Sequence, residues 1–418
     1  MRGLDLVNVF MADVKDGVGV YLSVYLLAEQ KWDPSRIGIV VAIPWLVSIL
    51  AQSPVGGFID RTRHKRLMLV VASAIVAISC LTVVFLPSFG PIAAAQGALG
   101  IVQTIFPPCV AAITLGMVGH DRMSRRIGRN ESFNHAGNML AAVVAIFIGW
   151  FISYEGIFYF SVFQCVAIIF ATLLIKERDI DHELARAAAE GSEPCGSSVT
   201  GAKELFSNRN ILFFTVAMFL WNVANGAMLP TLGQKLGLVD VKHSALYLSI
   251  CITIAQAVMI AVAPLASRLA EHGRKKLFLV AFLLVPVRAL LFALVENKYA
   301  LISLQVIDGL GAGIYGVLLI VMMADLGKGT GHFNLLQGVT YSAVGLGMAL
   351  SNILGGFVVK QAGYPAAFMT LAGVGVGATL FFAAFVKEPG SRGRDRPASV
   401  QRGTPRRAED PRRVPRPA

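Results

Sequence analysis

Leu67–Gly119, LMLVVASAIVAISCLTVVFLPSFGPIAAAQGALGIVQTIFPPCVAAITLGMVG, holds no charged residue in 53 positions. One cluster of turn formers, Pro87-Ser-Phe-Gly-Pro91, interrupts it. Each side is long enough for the roughly 20 residues that carry a helix across a ~30 Å hydrocarbon layer. Helices satisfy their backbone groups internally, which lipid demands. The stretch therefore reads as two membrane helices joined by a short hairpin.

Working outward, further runs free of formal charge are Ile37–Ile59, Ser132–Tyr154, Gly156–Ile175, Asn210–Gln234, Ser244–Ser267, Phe333–Val359 and Gln361–Val386. Leu277–Val295 is broken once, by Arg288, and Tyr299–Ala324 once, by Asp308. The run that opens at Leu4 carries Asp13, Lys15 and Asp16; it lacks a basic leader and a small-residue cleavage site, so it reads as a retained span. With it the spans number twelve. Composition agrees: the 418 residues are 55% hydrophobic and 15% charged, against roughly 25% charged in soluble domains. Mean hydropathy is +0.65. A soluble enzyme, a disordered chain and a nucleic-acid-binding module are all poor fits.

The net charge of +12 is explained by where it sits. With the N-terminus inside, 29 of the 37 Lys and Arg residues fall on the cytoplasmic side and six on the other. That asymmetry orients membrane helices and places both termini in the cytoplasm. The longest interior polar segment is 176–209, with an Ala/Glu/Arg stretch at Asp179–Glu190 that suits a surface helix. The expected fold is an all-α membrane protein in two six-helix repeats: residues 1–175, a cytoplasmic loop at 176–209, residues 210–386, and a disordered basic tail at 387–418. Cys80, Cys109, Cys165 and Cys251 lie in apolar runs, and Cys195 in a polar loop, without Cys-x-x-Cys or a Cys/His cluster. No disulfide framework, metal site or cofactor is expected.

The two halves repeat each other. Phe10-x-x-Asp13-x-x-Asp16-Gly17 aligns with Phe219-x-x-Asn222-x-x-Asn225-Gly226 at an offset of 209, and Gln96-Gly97-x-x-Gly100 with Asp308-Gly309-x-x-Ala312 at an offset of 212. The loop Asp60–Arg66 has a counterpart at Glu271–Lys276. Two parallel six-span repeats, a long central loop and Gly56-Gly-Phe-Ile-Asp60-Arg61-Thr-Arg-His-Lys65-Arg66 after span two resemble the major facilitator superfamily, whose signature there is G-x-x-x-D-R-x-G-R-K/R. The resemblance covers about residues 1–388. Arg63 replaces the signature's second Gly, and the second-half copy keeps Gly273-Arg274-Lys275 with Ala270 at the acidic position. The Gly/Pro-rich span-five signature of drug antiporters is absent from Ser132–Tyr154, and Ala93 stands where their span-four Arg falls. The resemblance implies that spans one, four, seven and ten line a central cavity. It also implies a cytoplasmic gate latch built from Gly56, Asp60, Arg61, Lys65 and Arg66 and, in the second half, Gly273, Arg274 and Lys275.

Ionisable groups at membrane depth are costly, so each is a functional candidate. At 1.5 Å per residue Asp13 and Asp16 lie roughly 12 and 16 Å into the membrane. They share one helix face; like charges so close make one carboxyl hold its proton, which suits proton coupling. The structural alternative is an Asp–Lys pair with Lys15 that locks span one. Asn222 and Asn225 can orient a substrate through hydrogen bonds or join helices. Arg288 and Asp308 also come out near mid-membrane, where a direct pair is the simplest account: a static brace, or one that breaks on binding. Gln96 stands at the position equivalent to Asp308. Asn130, Asn134 and Asn138 read as a packing stripe, and His135 as a lone histidine. Pro44, Pro54, Pro107, Pro108, Pro230, Pro264 and Pro286 permit kinks.

The reading is a secondary transporter in the cell (inner) membrane, a monomer and not an enzyme, that moves a small solute by alternating access. Proton-coupled efflux is the expected mode, with protons and the bilayer as its other partners and no nucleic acid. Its rivals are a nutrient or metabolite importer, a metal or siderophore exporter, and a non-transporting membrane sensor.

Overall fold

A computed structural model of the protein describes residues 2–16, 18–181, 208–240, 243–270, 273–327 and 333–388. The tail beyond Glu388 and most of the central loop lie outside the described residues. So does nearly all of the expected surface helix, whose start meets only a turn of 3₁₀ helix at Glu177–Asp179.

The first part of the chain builds helices Arg2–Asp16 (α1), Val18–Ala28 (α2), Pro34–Arg61 (α3), Lys65–Phe85 (α4), Phe89–Gln103 (α5), Phe106–Phe151 (α6) and Glu155–Leu173 (α7). The second builds Arg209–Asn225 (α8), Met228–Val239 (α9), Ser244–Leu269 (α10), Arg274–Leu294 (α11), Lys298–Ser303 (α12), Gln305–Gly327 (α13) and Phe333–Phe385 (α14). No strand occurs among the described residues. Gly119 (φ 71°) inside α6 and Gly363 (φ 83°) inside α14 adopt left-handed backbone, so each of these helices turns there. Nine helical stretches among the described residues are long and apolar enough to cross a membrane; one of them, Leu336–Phe385, is 50 residues long.

Local chemistry sets the boundaries. Asp33 caps α3 by accepting the Ser35 amide at 2.8 Å, with Pro34 in the first turn, where its missing N–H costs nothing. The turn formers at 87–91 separate α4 from α5. Pro107 and Pro108 do not kink a helix interior; they open α6 after the break at Thr104-Ile105. A second break, between Asn225 and Met228, precedes Pro230, which has no N–H to offer the Gly226 carbonyl. There the Ala227 amide donates instead to Ser351 Oγ on α14 at 2.8 Å.

Two hydrophobic cores form. One joins Leu4, Tyr25, Phe106 and Phe158; the other joins Phe214, Phe278, Phe282, Phe368 and Phe382, with the Phe282 and Phe382 rings stacked at 4.5 Å. They meet where α3 crosses α14. A Cβ on Gly38 would lie 2.3 Å from the Asn352 carbonyl oxygen, and one on Gly356 2.4 Å from that of Pro34, so the backbones touch. Tyr21 and Ser249 share a hydrogen bond of 2.9 Å across the same meeting, and Lys360 pairs with Asp33 at 3.2 Å. Towards the other end of α3, Leu50 is 78% exposed. The halves are thus closed at the end where α3 begins.

Candidate functional site

The break between α8 and α9 positions a buried polar cluster. Arg288, on α11, is 3% exposed and forms an ion pair with Asp308 on α13. Its Nη2 also donates to Asn225 Oδ1, the last residue of α8, and lies 3.0 Å from Met228 Sδ at the start of α9. The guanidinium also sits 5.7 Å from the Phe292 ring centroid. Four helix ends or faces therefore converge on one cation. A buried charge is tolerable only when paired and hydrogen-bonded, which this arrangement supplies. Asp308 is the more open partner, its side chain 18% exposed.

Beside the pair lies a narrow crevice, too tight for a water molecule, lined by Trp221, Asn225, Leu284, Val285, Arg288, Ile307, Asp308, Gly311 and Ala312. Two donors in that lining, Trp221 Nε1 and Arg288 Nε, have no hydrogen-bond partner among the described residues. Trp221 stacks on Tyr315 with centroids 3.7 Å apart and planes 10° from parallel. Asn222 does not join the Arg288 cluster. Its Nδ2 donates to the Tyr315 hydroxyl at 2.9 Å and to the Met218 carbonyl at 2.8 Å.

The structure thus brings together Asn225, Arg288 and Asp308 and sets Asn222 one layer away. Gln96 is buried on α5, its Nε2 without a partner among the described residues. The side chains of Asp13, Lys15 and Asp16 lie outside the described residues, as does that of His135. Asn130 donates to Thr114 Oγ1 at 3.0 Å, a contact within the first half. Sequence reasoning missed Trp221, Met228 and Tyr315: nothing marks an aromatic or thioether in an apolar run until its neighbours are known. It also missed Asp5, which accepts from Arg126 at 2.6 Å and, through both carboxylate oxygens, from Arg129.

The two basic loops hold their own halves together. Gly56 is open, with no atom within 4 Å of a would-be Cβ, and the side chains of Asp60 and Arg61 lie outside the described residues. Lys65 is buried and donates to the Thr62 carbonyl at 2.9 Å; Arg66 pairs with Glu177 at 3.4 Å. In the second half Gly273 takes φ 154°, outside the range L side chains favour. Arg274 pairs with Asp325 at the end of α13, so an acid from another helix serves where Ala270 replaces the loop's own. Lys275 Nζ donates to the Ala383 carbonyl at 2.7 Å. Glu388 accepts the Arg274 and Lys275 amides at 2.8 and 3.3 Å, capping α11.

Near the closed end, burial pushes the Asp33 carboxyl up, but the Ser35 amide and Lys360 more than offset this and hold it below the usual range. Asp240 behaves alike: burial raises it, and the Tyr247 hydroxyl and His243 bring it below.

A Major Facilitator Superfamily profile matches residues 5–271 and again 212–415. Uncharacterized MFS-type transporters of Mycobacterium tuberculosis, from strains CDC 1551 / Oshkosh and ATCC 25618 / H37Rv, are 39% identical over 385 residues, covering 92% of this chain and 92% of theirs. The fold resembles that of a mutant nucleoside transporter NupG, with TM-score 0.78, 16% identity and coverage of 92% of this chain and 99% of that one. A mutant peptide transporter POT gives TM-score 0.72 at 11% identity, over 91% and 93% of the two chains. With its all-helical architecture and apolar spans, the chain belongs to the Major Facilitator Superfamily and is a multi-pass membrane protein of the transporter kind.

Proposed function

We propose that this protein is a secondary active transporter that carries a small solute across the cytoplasmic membrane by alternating access, coupled to protons at a mid-membrane carboxylate. The observation that carries the reading is the Arg288–Asp308 pair with Asn225, set at a helix break. Discontinuous helices at mid-span are where carriers of this general kind hold substrate and ions. Residues 1–175 and 210–386 are the two moving bodies, joined by 176–209, with both termini cytoplasmic. Twelve spans are supported by nine long apolar stretches, by the double length of Leu336–Phe385, by the shorter apolar helix Ala136–Ile148 and by α1 with α2. The loops Gly56–Arg66 and Gly273–Lys275 are the cytoplasmic gate. Asp13, Lys15, Asp16, Gln96 and Asn222 line the same cavity from spans one, four and seven. A secondary carrier is reversible, so export and import differ in gradients and not in architecture.

The test is reconstitution into liposomes holding a pH-sensitive dye, challenged in both gradient directions with an array of solutes. We expect a subset of solutes to move protons. Asp308→Asn should abolish that movement and leave substrate-for-substrate exchange intact, because an amide keeps the shape but cannot titrate. If Asp308→Asn still moves protons and Asp16→Asn does not, coupling belongs to span one. If no solute moves protons in the parent protein, the coupled reading fails.

A further inference from the structure

A small cavity lies at the closed end, beside the crossing of α3 and α14. Its walls come from α2, α3, α9 and α14, and four of the side chains that line it are polar: Ser23, Thr231, Gln234 and Asn352. All four are 5% exposed or less. The cavity holds about 10 Å³, the least that takes one water molecule.

Those four side chains have hydrogen-bonding capacity to offer. Other hydroxyls in the spans close on the carbonyl one turn back, as Ser249 does on Ala245 and Thr253 on Ser249, both at 2.8 Å. Neither the Thr231 hydroxyl nor the Gln234 amide bonds to another described residue. Asn352 donates Nδ2 to the Met348 carbonyl at 2.8 Å, which leaves Oδ1 to accept. A serine hydroxyl has two lone pairs, so Ser23 can accept as well. Buried polar groups call for partners, and this set both donates and accepts. Water does both, and a buried water is held by about two to four such groups. Any solute with more than one heavy atom is too large. A bare cation meets no carboxylate among the described residues of the lining, and it would lie beside the first turns of α9, where the helix dipole favours negative charge.

The two halves share the walls and meet tightly around them. On one side Gly38 and Gly356 cross; on the other, a Cβ on Gly233 of α9 would lie 2.7 Å from Val24 Cγ2 of α2. Moving α2 and α3 away from α9 and α14 therefore opens the cavity to solvent. We propose that this is a structural water site: one water molecule, captured as this end closes, joins Ser23 of the first half to Thr231, Gln234 and Asn352 of the second. Its hydrogen bonds favour the closed arrangement, and its release is a step of opening. Occupancy requires neither solute nor proton, so the site stands apart from the coupled reading above.

The experiment is structure determination of the full-length protein in lipid nanodiscs, at a resolution that shows ordered water, with sodium or choline as the sole added monovalent cation. One density peak should lie about 2.5–3.2 Å from polar atoms of at least three of the four side chains, in both salts. No peak, or a peak that requires sodium, overturns the proposal. Two variants separate hydrogen bonding from shape. Thr231→Ser keeps the hydroxyl and should keep the peak; Thr231→Val keeps the shape and should lose it. The reverse order would make Thr231 a steric wall and overturn the assignment. Spin labels on cysteines replacing the exposed Arg36 and Gln361 then read closure by their separation. Thr231→Val should raise the ratio of separated to closed halves about fivefold, the worth of one net hydrogen bond. An unchanged distance distribution in a variant that has lost the peak would overturn the link between capture and closure. The parent's density is read without any substitution, so a variant that fails to fold still leaves the site decided.

Discussion

At the scale of single residues, Arg288 asks more of its surroundings than any other described side chain in the spans. Removing it would strand Asp308 in a crevice with no other cation in its lining. Arg288→Ala should therefore cost about 3–5 kcal/mol, read as a large fall in the thermal midpoint in detergent. Replacing both partners by apolar residues, Arg288→Met with Asp308→Leu, should recover most of that loss while abolishing proton-coupled transport. A double variant no more stable than the single one would mean that the pair matters for something other than charge compensation. Much of this site was legible in sequence, because a lone Arg in Leu277–Val295 and a lone Asp in Tyr299–Ala324 are so costly that each calls for the other. Trp221 and Tyr315 were not legible. An indole and a phenol among apolar residues look like core until the rings are seen stacked at 3.7 Å with one N–H left over.

At the scale of elements, the same device closes each half. Arg66, opening α4, pairs with Glu177 just after α7; Glu388, just after α14, takes the amides that open α11. Positions 177 and 388 differ by 211, the spacing at which the rest of the repeat recurs. Glu388 caps two otherwise orphaned donors and places negative charge at a helix N-terminus, both stabilising. Glu388→Gln keeps one acceptor and should cost about 0.5–1 kcal/mol; Glu388→Ala should cost up to about 2 kcal/mol. Differential scanning of the two variants checks this, and identical midpoints for both would show that the cap contributes nothing. Sequence alone marked 387 as the start of a charged tail, since a capping acid beyond a helix end looks like any other solvated residue. Helix breaks were readable only in part: the prolines were evident, but which would kink and which would sit in a first turn depended on where neighbouring helices held the chain.

At the scale of the whole molecule, the halves lean on each other at one end, through α3 against α14, Tyr21 with Ser249 and Asp33 with Lys360. The depressed Asp33 carboxyl keeps that ion pair charged throughout ordinary pH. Its contribution to the closed arrangement is present above the usual Asp value of about 4 and is lost only as pH falls through the lowered one. The distance between spin labels on cysteines replacing Arg36 and Gln361, both exposed, with Asp33 and Lys360 left in place, should therefore be the same at pH 6 and pH 8. A steep change across that range would mean that another group controls the contact.

The glycine crossing has a consequence for the working cycle. Where Gly38 and Gly356 meet, only one arrangement of the halves forbids a methyl group; with the two helices apart, alanine is as acceptable there as glycine, and better suited to a helix. Gly356→Ala thus penalises a single conformer and spares the fold. Each 1.4 kcal/mol of that penalty multiplies the opposite conformer tenfold. One methyl group on α14 should turn the protein into a reporter of its own resting poise: reagents applied from the α3 entry side would reach Asn352 replaced by cysteine in the alanine variant and be excluded in the parent.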